Sequence, residues 1–442
     1  MNDFIRTTNR TEKSIRVAVV GAGVAGLTAA HYLARLTDWE ITVFEGRDRI
    51  GGHAHTHNLT DSDGKRFAVD TGFIVFNDRN YPNFRHLLAS LEVDAHDTEM
   101  SFSVSLPARG RRGGFEYNGG SLPGLFAQRR NLLSPRFWKL LREIVRFNKR
   151  ALKSRYQPSD RTVGEWLERY GFDGPMVARY LLPMAGAIWS ASPKRILDFP
   201  VQSLFHFMDN HGLLSLGNRP QWCSLRGGSQ TYVKSLVASC TAQFLTDAPV
   251  AQVTKTPGGP KVTLGNGEEH AFDAVVMACH ADDALRMIQA PDDVERSILG
   301  AFDYSENKVF LHSDPQWMPK RRAAWASWNY IGSGEGEDDP IAVSYWMNGL
   351  QELSTDQLMV VTLNPSERPA HIHRELTYRH PQFDLKAIKA QYRRDELQGR
   401  NGLYYAGAHW RWGFHEDGVV SALWALQKMG VKVPFQGEME RR

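Results

Sequence analysis

Cysteine is scarce in this chain: Cys223, Cys240 and Cys279 are an odd, scattered set without CxxC spacing. That argues against a disulfide framework or a zinc ribbon and fits a reducing compartment, so a cytoplasmic location is expected. Long hydrophobic runs are also missing. No uninterrupted apolar stretch could span a bilayer, and Met1 to Arg16 is polar and charged without the apolar centre of a leader, so neither spanning nor secretion is expected. Charge of one sign is lacking too. Fifty-three Lys plus Arg stand against 49 Asp plus Glu, a formal +4, too even to point to nucleic acid. His206 and His211 have no third ligand at metal spacing, and no metal site is expected. With 442 residues the chain has room for two or three domain-sized units.

What is present is concentrated at the front. Val17-Ala-Val-Val is a short buried strand, and Gly21-Ala-Gly23-Val24-Ala25-Gly26 turns from it into an apolar helix running to about Leu36. Glycines in such a turn let backbone amides approach a pyrophosphate at the helix N-terminus. A second strand, Ile41-Thr-Val-Phe, ends in Glu45, 22 positions after Gly23, near the spacing at which a carboxylate reaches ribose hydroxyls. Strand, glycines, helix and acid in register make a complete nucleotide cradle. No second glycine-rich unit of this kind follows residue 60, so a nicotinamide cofactor is not expected as direct reductant.

The stretch Glu45-Gly46-Arg47-Asp-Arg49-Ile-Gly51-Gly52-His53 adds a double glycine and resembles the glutathione-reductase-type flavoproteins of the amine oxidase, phytoene desaturase and protoporphyrinogen oxidase group. The resemblance implies FAD. Most members have Arg where this chain has His53, so the cation near the pyrophosphate falls to Arg47, Arg49 or a protonated His53, unless His53 is an ordinary loop histidine. At the other end, Gly402-Leu-Tyr-Tyr-Ala-Gly407-Ala408 and the helix led by Gly418-Val419 resemble the group's last FAD motif, whose helix aims its N-terminal amides at the flavin. Ala408 stands where many relatives have an acid. Glu416 and Asp417 read as first-turn acids of that helix rather than as catalysts. With no cysteine after Cys279, the C-terminal thioether of some relatives is not available, and FAD is expected to be non-covalent.

Between these ends the resemblance implies an α/β fold: a glutathione-reductase-type, Rossmann-like FAD domain with an interleaved α+β substrate domain. The expected boundaries are 13–80, 223–285 and 401–442 for the FAD domain, with 81–222 a helical part and 286–400 a sheet part of the substrate domain. By family position Gly72, Phe73 and Ile74 pass beside the flavin ring, although the two side chains equally suit a core strand, and Val250 meets the adenine. Lys308, opening the strand Lys308-Val-Phe-Leu, resembles the lysine held near the flavin in many amine oxidases, and is the candidate catalytic residue; a surface lysine is the alternative. The segments Gly-Gly-His from Gly51, Met-Ser-Phe-Ser from Met100 and Thr-Leu-Asn-Pro from Thr362 resemble, within the group, bacterial amine-oxidase-like proteins often encoded beside cyclopropane-fatty-acid-synthase-like methyltransferases. That implies fatty-acyl lipid as a substrate class.

The remaining segments read locally. Met100 to Leu106 alternates as a strand, returned by a turn over Arg109 to Gly114 as a hairpin. Strand patterns at Asn307–His312, Ala323–Ile331, Ile341–Met347 and Gln357–Leu363 suggest one sheet, with Trp325 on one face and Trp328 and Tyr330 on the other. Thr162 to Glu165 is a capping box, and Ser192-Pro193 opens a helix toward Asn210. From Gln128 to Arg155 ten cations face the single acid Glu143, with apolar residues at helical spacing. This is a basic amphipathic helix, either core-packed with a solvated outer face or lying on anionic lipid. The expected chemistry is hydride removal from a C–H or C–N bond of an apolar small molecule or lipid, with the electron acceptor undetermined. The alternatives are a redox-neutral isomerase or mutase and a non-catalytic flavin-binding subunit.

Overall fold

The computed structural model describes residues 14–107, 114–157, 159–189, 192–215, 217, 219–332 and 342–435. The chain divides into two interleaved compact units, one of residues 1–52, 233–300 and 393–442, the other of 53–232 and 301–392. Their cuts differ from the boundaries drawn on sequence. Residues 53–80 gather with the second unit because the hairpin Thr56–Thr60/Arg66–Asp70 is tied there by Asp70, which accepts hydrogen bonds from Ser229 and Gln351. Residues 286–300 and 393–400 gather with the first, where Arg400 pairs with Asp292 and Lys255 with Glu295.

The first unit is built on a five-stranded parallel sheet in the order Gln243–Leu245, Glu40–Phe44, Arg16–Val20, Ala274–Met277, Leu403–Tyr405. Its central strands are apolar without alternation because parallel strands are covered on both faces; Val17, Ala18 and Val19 are fully buried. The helices Val24–Leu36 and His415–Lys428 pack against each other beside it. A small antiparallel sheet of Val250–Thr254, Lys261–Leu264 and Glu269–Ala271 follows, with Gly267 of the Asn-Gly turn at φ +87°.

The second unit carries a seven-stranded sheet, ordered Ile372–Pro381, Tyr304–His312, Val360–Leu363, Ala342–Trp346, Trp328–Ile331, Phe102–Leu106, Phe115–Asn118. The expected single sheet is there, and the Phe102–Leu106 hairpin, whose turn at 108–113 lies outside the described residues, joins it through a parallel pairing with Trp328–Ile331. One strand is shorter than its pattern: Ala323 and Trp325 fall in and after a 3₁₀ turn, Arg322–Ala324, so Trp325 does not alternate with Trp328. The helical layer contains Pro135–Ser154, Val163–Arg169 and Val201–Asn210, packed through Phe147, Trp166, Phe172 and Phe205. Thr162 and Glu165 form the capping box. The helix opened by Ser192 stops at Leu197 because Pro200 removes a donor and turns the chain before Val201.

Candidate functional site: a dinucleotide cradle

In the first unit the glycine turn is hydrogen-bonded to the strand beside it. Gly21 sits at φ +105° and donates its N–H to Phe44 O at 2.8 Å, while a Cβ there would meet Ala278 O at 2.8 Å. Ala22 is held from both sides: its N–H donates to Glu45 Oε2 at 3.0 Å, and its carbonyl accepts from Gly51 N at 2.9 Å. Glu45 Oε1 accepts from Arg47 N at 3.0 Å, so the carboxylate is fixed at the strand end with lone pairs to spare for hydroxyls. Asp247 and Ala248 donate their N–H groups to the carbonyls of Arg47 and Glu45, which brings Val250 to the same end as Gly46 and Arg47. Arg49 donates to Gly52 O at 2.7 Å; Arg47 is exposed.

The start of the helix Val24–Leu36 has the features of an anion site. Gly23 is its N-cap with no side-chain cap, and no acid lies in the first turn, so the early amides and the positive end of the helix dipole are left to a ligand. Gly23 itself has φ −78°, open to any residue, and a Cβ on it would meet only Gly52 Cα, at 3.9 Å. The protein leaves that space, as a bound pyrophosphate requires. Gly26 differs, since its Cβ would lie 1.9 Å from Gly21 O, so it serves the close packing of helix on turn. The closing helix meets the first one here: a Cβ on Gly418 would touch Val24 Cγ1 at 2.6 Å, with Ala25 and Val419 alongside. Ser421 Oγ donates to Gly418 O and accepts from Gly407 N, each at 2.8 Å, pinning the Gly407-Ala408 turn to that helix. Asp417 accepts from the N–H groups of Trp412 and Phe414, as a first-turn acid does, and burial raises its pKa.

The family model for flavin containing amine oxidoreductases matches residues 24–425. The chain belongs to that family. The chain is 26% identical over 320 residues to the carotenoid phi-ring synthase of Streptomyces griseus, an alignment covering 69% of this chain and 59% of that protein. Solved structures with the same fold include a CLA-producing fatty acid isomerase from P. acnes (TM-score 0.67, 16% identity, 95% of this chain and 99% of that one). Another is the cyclohexylamine oxidase from Brevibacterium oxydans IH-35A (TM-score 0.67, 14% identity, 95% of this chain and 100% of that one). The chain spans less than two thirds of the length of the curated relatives it matches. The family's cofactor is FAD, and the uncapped helix start, the open side of Gly23 and the anchored Glu45 are what FAD binding asks of the cradle.

The second unit holds the other sequence candidates. Gly72 is explained by its own chain, because a Cβ there would lie 2.1 Å from His53 O, and Phe73 N donates to that same carbonyl. Phe73 packs edge-on against Phe84 and Tyr232, and Ile74 belongs to the core with Val309, Leu311 and Met347. Lys308 is solvent-exposed, on the opposite side of its strand from the buried Asn307 and Val309. Asn307 is the inward residue. Its amide bonds His380 Nδ1 at 3.1 Å and Asn364 Nδ2 at 2.7 Å, and His380 lies 5.6 Å, ring to ring, from His53. Tyr378 lies 5.1 Å from His53, its hydroxyl bonding His55 Nδ1 and Thr71 Oγ1. Sequence reasoning missed this polar group, although histidines at 53, 55 and 57, two apart, were a signal that one face of an extended segment would carry imidazoles. Elsewhere, His280, Asp282 and Asp283 bring ligand atoms within 4.8 Å of one another, but Asp283 already pairs with Arg286 at 2.7 Å.

Proposed function

We propose that this oxidoreductase acts on a C–H or C–N bond of an apolar substrate, with a fatty-acyl chain as the substrate class. When bound, FAD supplies the two-electron acceptor for the hydride. The chain's own residues hold the pyrophosphate at the helix start, fix the ribose end with Glu45, and present imidazoles and amides in the second unit. The observation that carries the substrate class is a set of half-buried aromatic rings in that unit. Trp328 and Tyr345 face each other across paired strands with ring centroids 5.6 Å apart, and Trp325 and Trp346 meet at the same spacing. The guanidinium of Arg322 covers Trp325 and Trp346, at 3.8 and 4.5 Å from their ring centroids, whereas Trp328 and Tyr345, left half-covered, offer apolar surface that a hydrocarbon chain would complete.

A redox-neutral double-bond isomerisation is the second reading, because a protein named as a fatty acid isomerase shares this fold. Anaerobic spectrophotometry separates the two. Loss of the oxidised flavin band on adding long-chain acids or lipids supports the proposal; a rearranged product formed without net bleaching replaces it with isomerisation. Bleaching by small polar amines alone would remove the apolar class and leave the oxidoreductase assignment intact.

A further inference from the structure

The second unit exposes large apolar side chains where its surface is most basic. Leu133 is 90% exposed and Leu132 48%, both on the 3₁₀ turn Arg129–Leu133, and Trp138 on the helix that follows is 46% exposed. Trp138 Nε1 donates to Leu132 O at 2.9 Å, which holds the indole against that turn, and Phe126 packs 5.7 Å from it. Leu122, 73% exposed, lies on the short helix Leu122–Leu125 just before Phe126. The inner face of the long helix is satisfied by Phe137, Leu140, Phe147 and Ala151, so these outer residues are not reserve core.

Around them stand Arg129, Arg136, Lys139 and Arg142, all exposed and without an ion-pair partner among the described residues. Farther along the helix the arginines are engaged at home, while Lys149 and Lys153 stay exposed. Arg146 pairs with Glu143, donates to Gly171 O and covers Phe172, and Arg150 stacks on Tyr170. The helix is therefore not uniformly available: among the described residues its most exposed apolar groups, Leu133, Leu132 and Trp138, lie with open positive charge on its first two turns and the preceding turn, whereas Val145 farther along is only 37% exposed.

We infer that this end, Leu132-Leu133-Trp138 within the collar of Arg129, Arg136, Lys139 and Arg142, seats on the surface of an anionic lipid bilayer, the apolar tips entering the headgroup layer. Charge selects the occupant. A second copy meeting this face symmetrically would set cation against cation, whereas anionic headgroups neutralise the collar and the acyl region accepts leucine and indole. The placement also suits a lipid substrate, because the Leu122–Leu125 helix packs against the turn Arg322–Ala324, next to Trp325 and its partner Trp346. The docking itself does not depend on the chemistry proposed above.

The test is cosedimentation of the flavin-loaded protein with phosphatidylcholine vesicles, with and without phosphatidylglycerol. Binding to the anionic vesicles alone is expected. Each juxtamembrane cation is worth about a fivefold change in partitioning, so Arg136→Gln with Lys139→Gln and Arg142→Gln should weaken it on the order of a hundredfold. Leu133→Ser with Trp138→Ser, flavin content unchanged, should abolish the fraction that resists high salt. Equal binding to both vesicle types, no binding, or salt-resistant binding that survives the Leu133 and Trp138 changes would overturn the inference. So would a dimer that these substitutions dissociate.

Discussion

Gly23 and Gly26 are three residues apart in one turn and are glycine for different reasons. Gly26 is demanded by the polypeptide, since its Cβ would lie 1.9 Å from a backbone oxygen, whereas at Gly23 the nearest protein atom is 3.9 Å away. Gly26→Ala should therefore force the helix off its strand and cost several kcal/mol, on the order of a core clash, with flavin and folded protein lost together. Gly23→Val should fold with the circular dichroism and denaturant midpoint of the flavin-free protein, yet copurify without FAD. A Gly23→Val protein carrying full flavin would mean the segment is only a turn. The contrast also marks what was readable. Motif glycines and Glu45 are tied to a ligand by spacing, so their places follow from sequence; Lys308 and Asn307 differ by one step of strand alternation, and a slip of one residue exchanges inside for outside.

Elements were legible where local chemistry sets them: the Asn-Gly turn, the Thr162 capping box and the apolar parallel strands all appear where their residues indicate. Longer-range ties were not. Asp70 ends a strand, and nothing near it in sequence reveals that it accepts from Thr56 Oγ1, Ser229 N and Oγ, and Gln351 Nε2. The double glycine at 227 and 228, with φ +75° and +81°, makes the turn that aims Ser229 N–H at that carboxylate. One buried side chain thus joins a hairpin, the start of the helix Gln230–Ala238 and the end of the helix Met347–Leu350. Asp70→Ala would leave these donors buried and unpaired, at a cost of about 3 kcal/mol. A lower urea midpoint with unchanged slope is the expected result, and Asp70→Asn should recover little of the loss because its amide turns a donor toward donors. A midpoint within experimental error of wild type would show the tie to be dispensable.

At the scale of the whole chain, burial of neutral histidine sets how stability responds to acid. His31, His211 and His312 are each lowered from 6.5 to about 4, and His409 and His415 to about 3, burial being the main cause in every case. They lie in both units, so the effect is not confined to one. His312 shows why the neutral form is held: Asp314 N–H donates to its Nδ1 at 3.1 Å, leaving Nε2–H for Thr362 Oγ1 at 2.7 Å, and a second ring proton would meet the backbone donor. The unfolded chain takes up these protons near pH 6.5 and the folded chain only near 4 or below. Between those values the unfolded state binds more protons, so stability is full above pH 6.5 and falls as the pH is lowered toward 4, each histidine adding a slope of up to about 1.4 kcal/mol per pH unit. Urea midpoints should be flat from pH 8 to 7 and then drop steeply. Replacing His312 by Gln, which keeps a donor and an acceptor but cannot titrate, should lower overall stability while removing up to one proton from the uptake measured on unfolding at pH 5. Carboxylates alone would give acid loss centred near pH 4 and an uptake at pH 5 that His312→Gln leaves unchanged, and that pair of results would exclude the histidine origin.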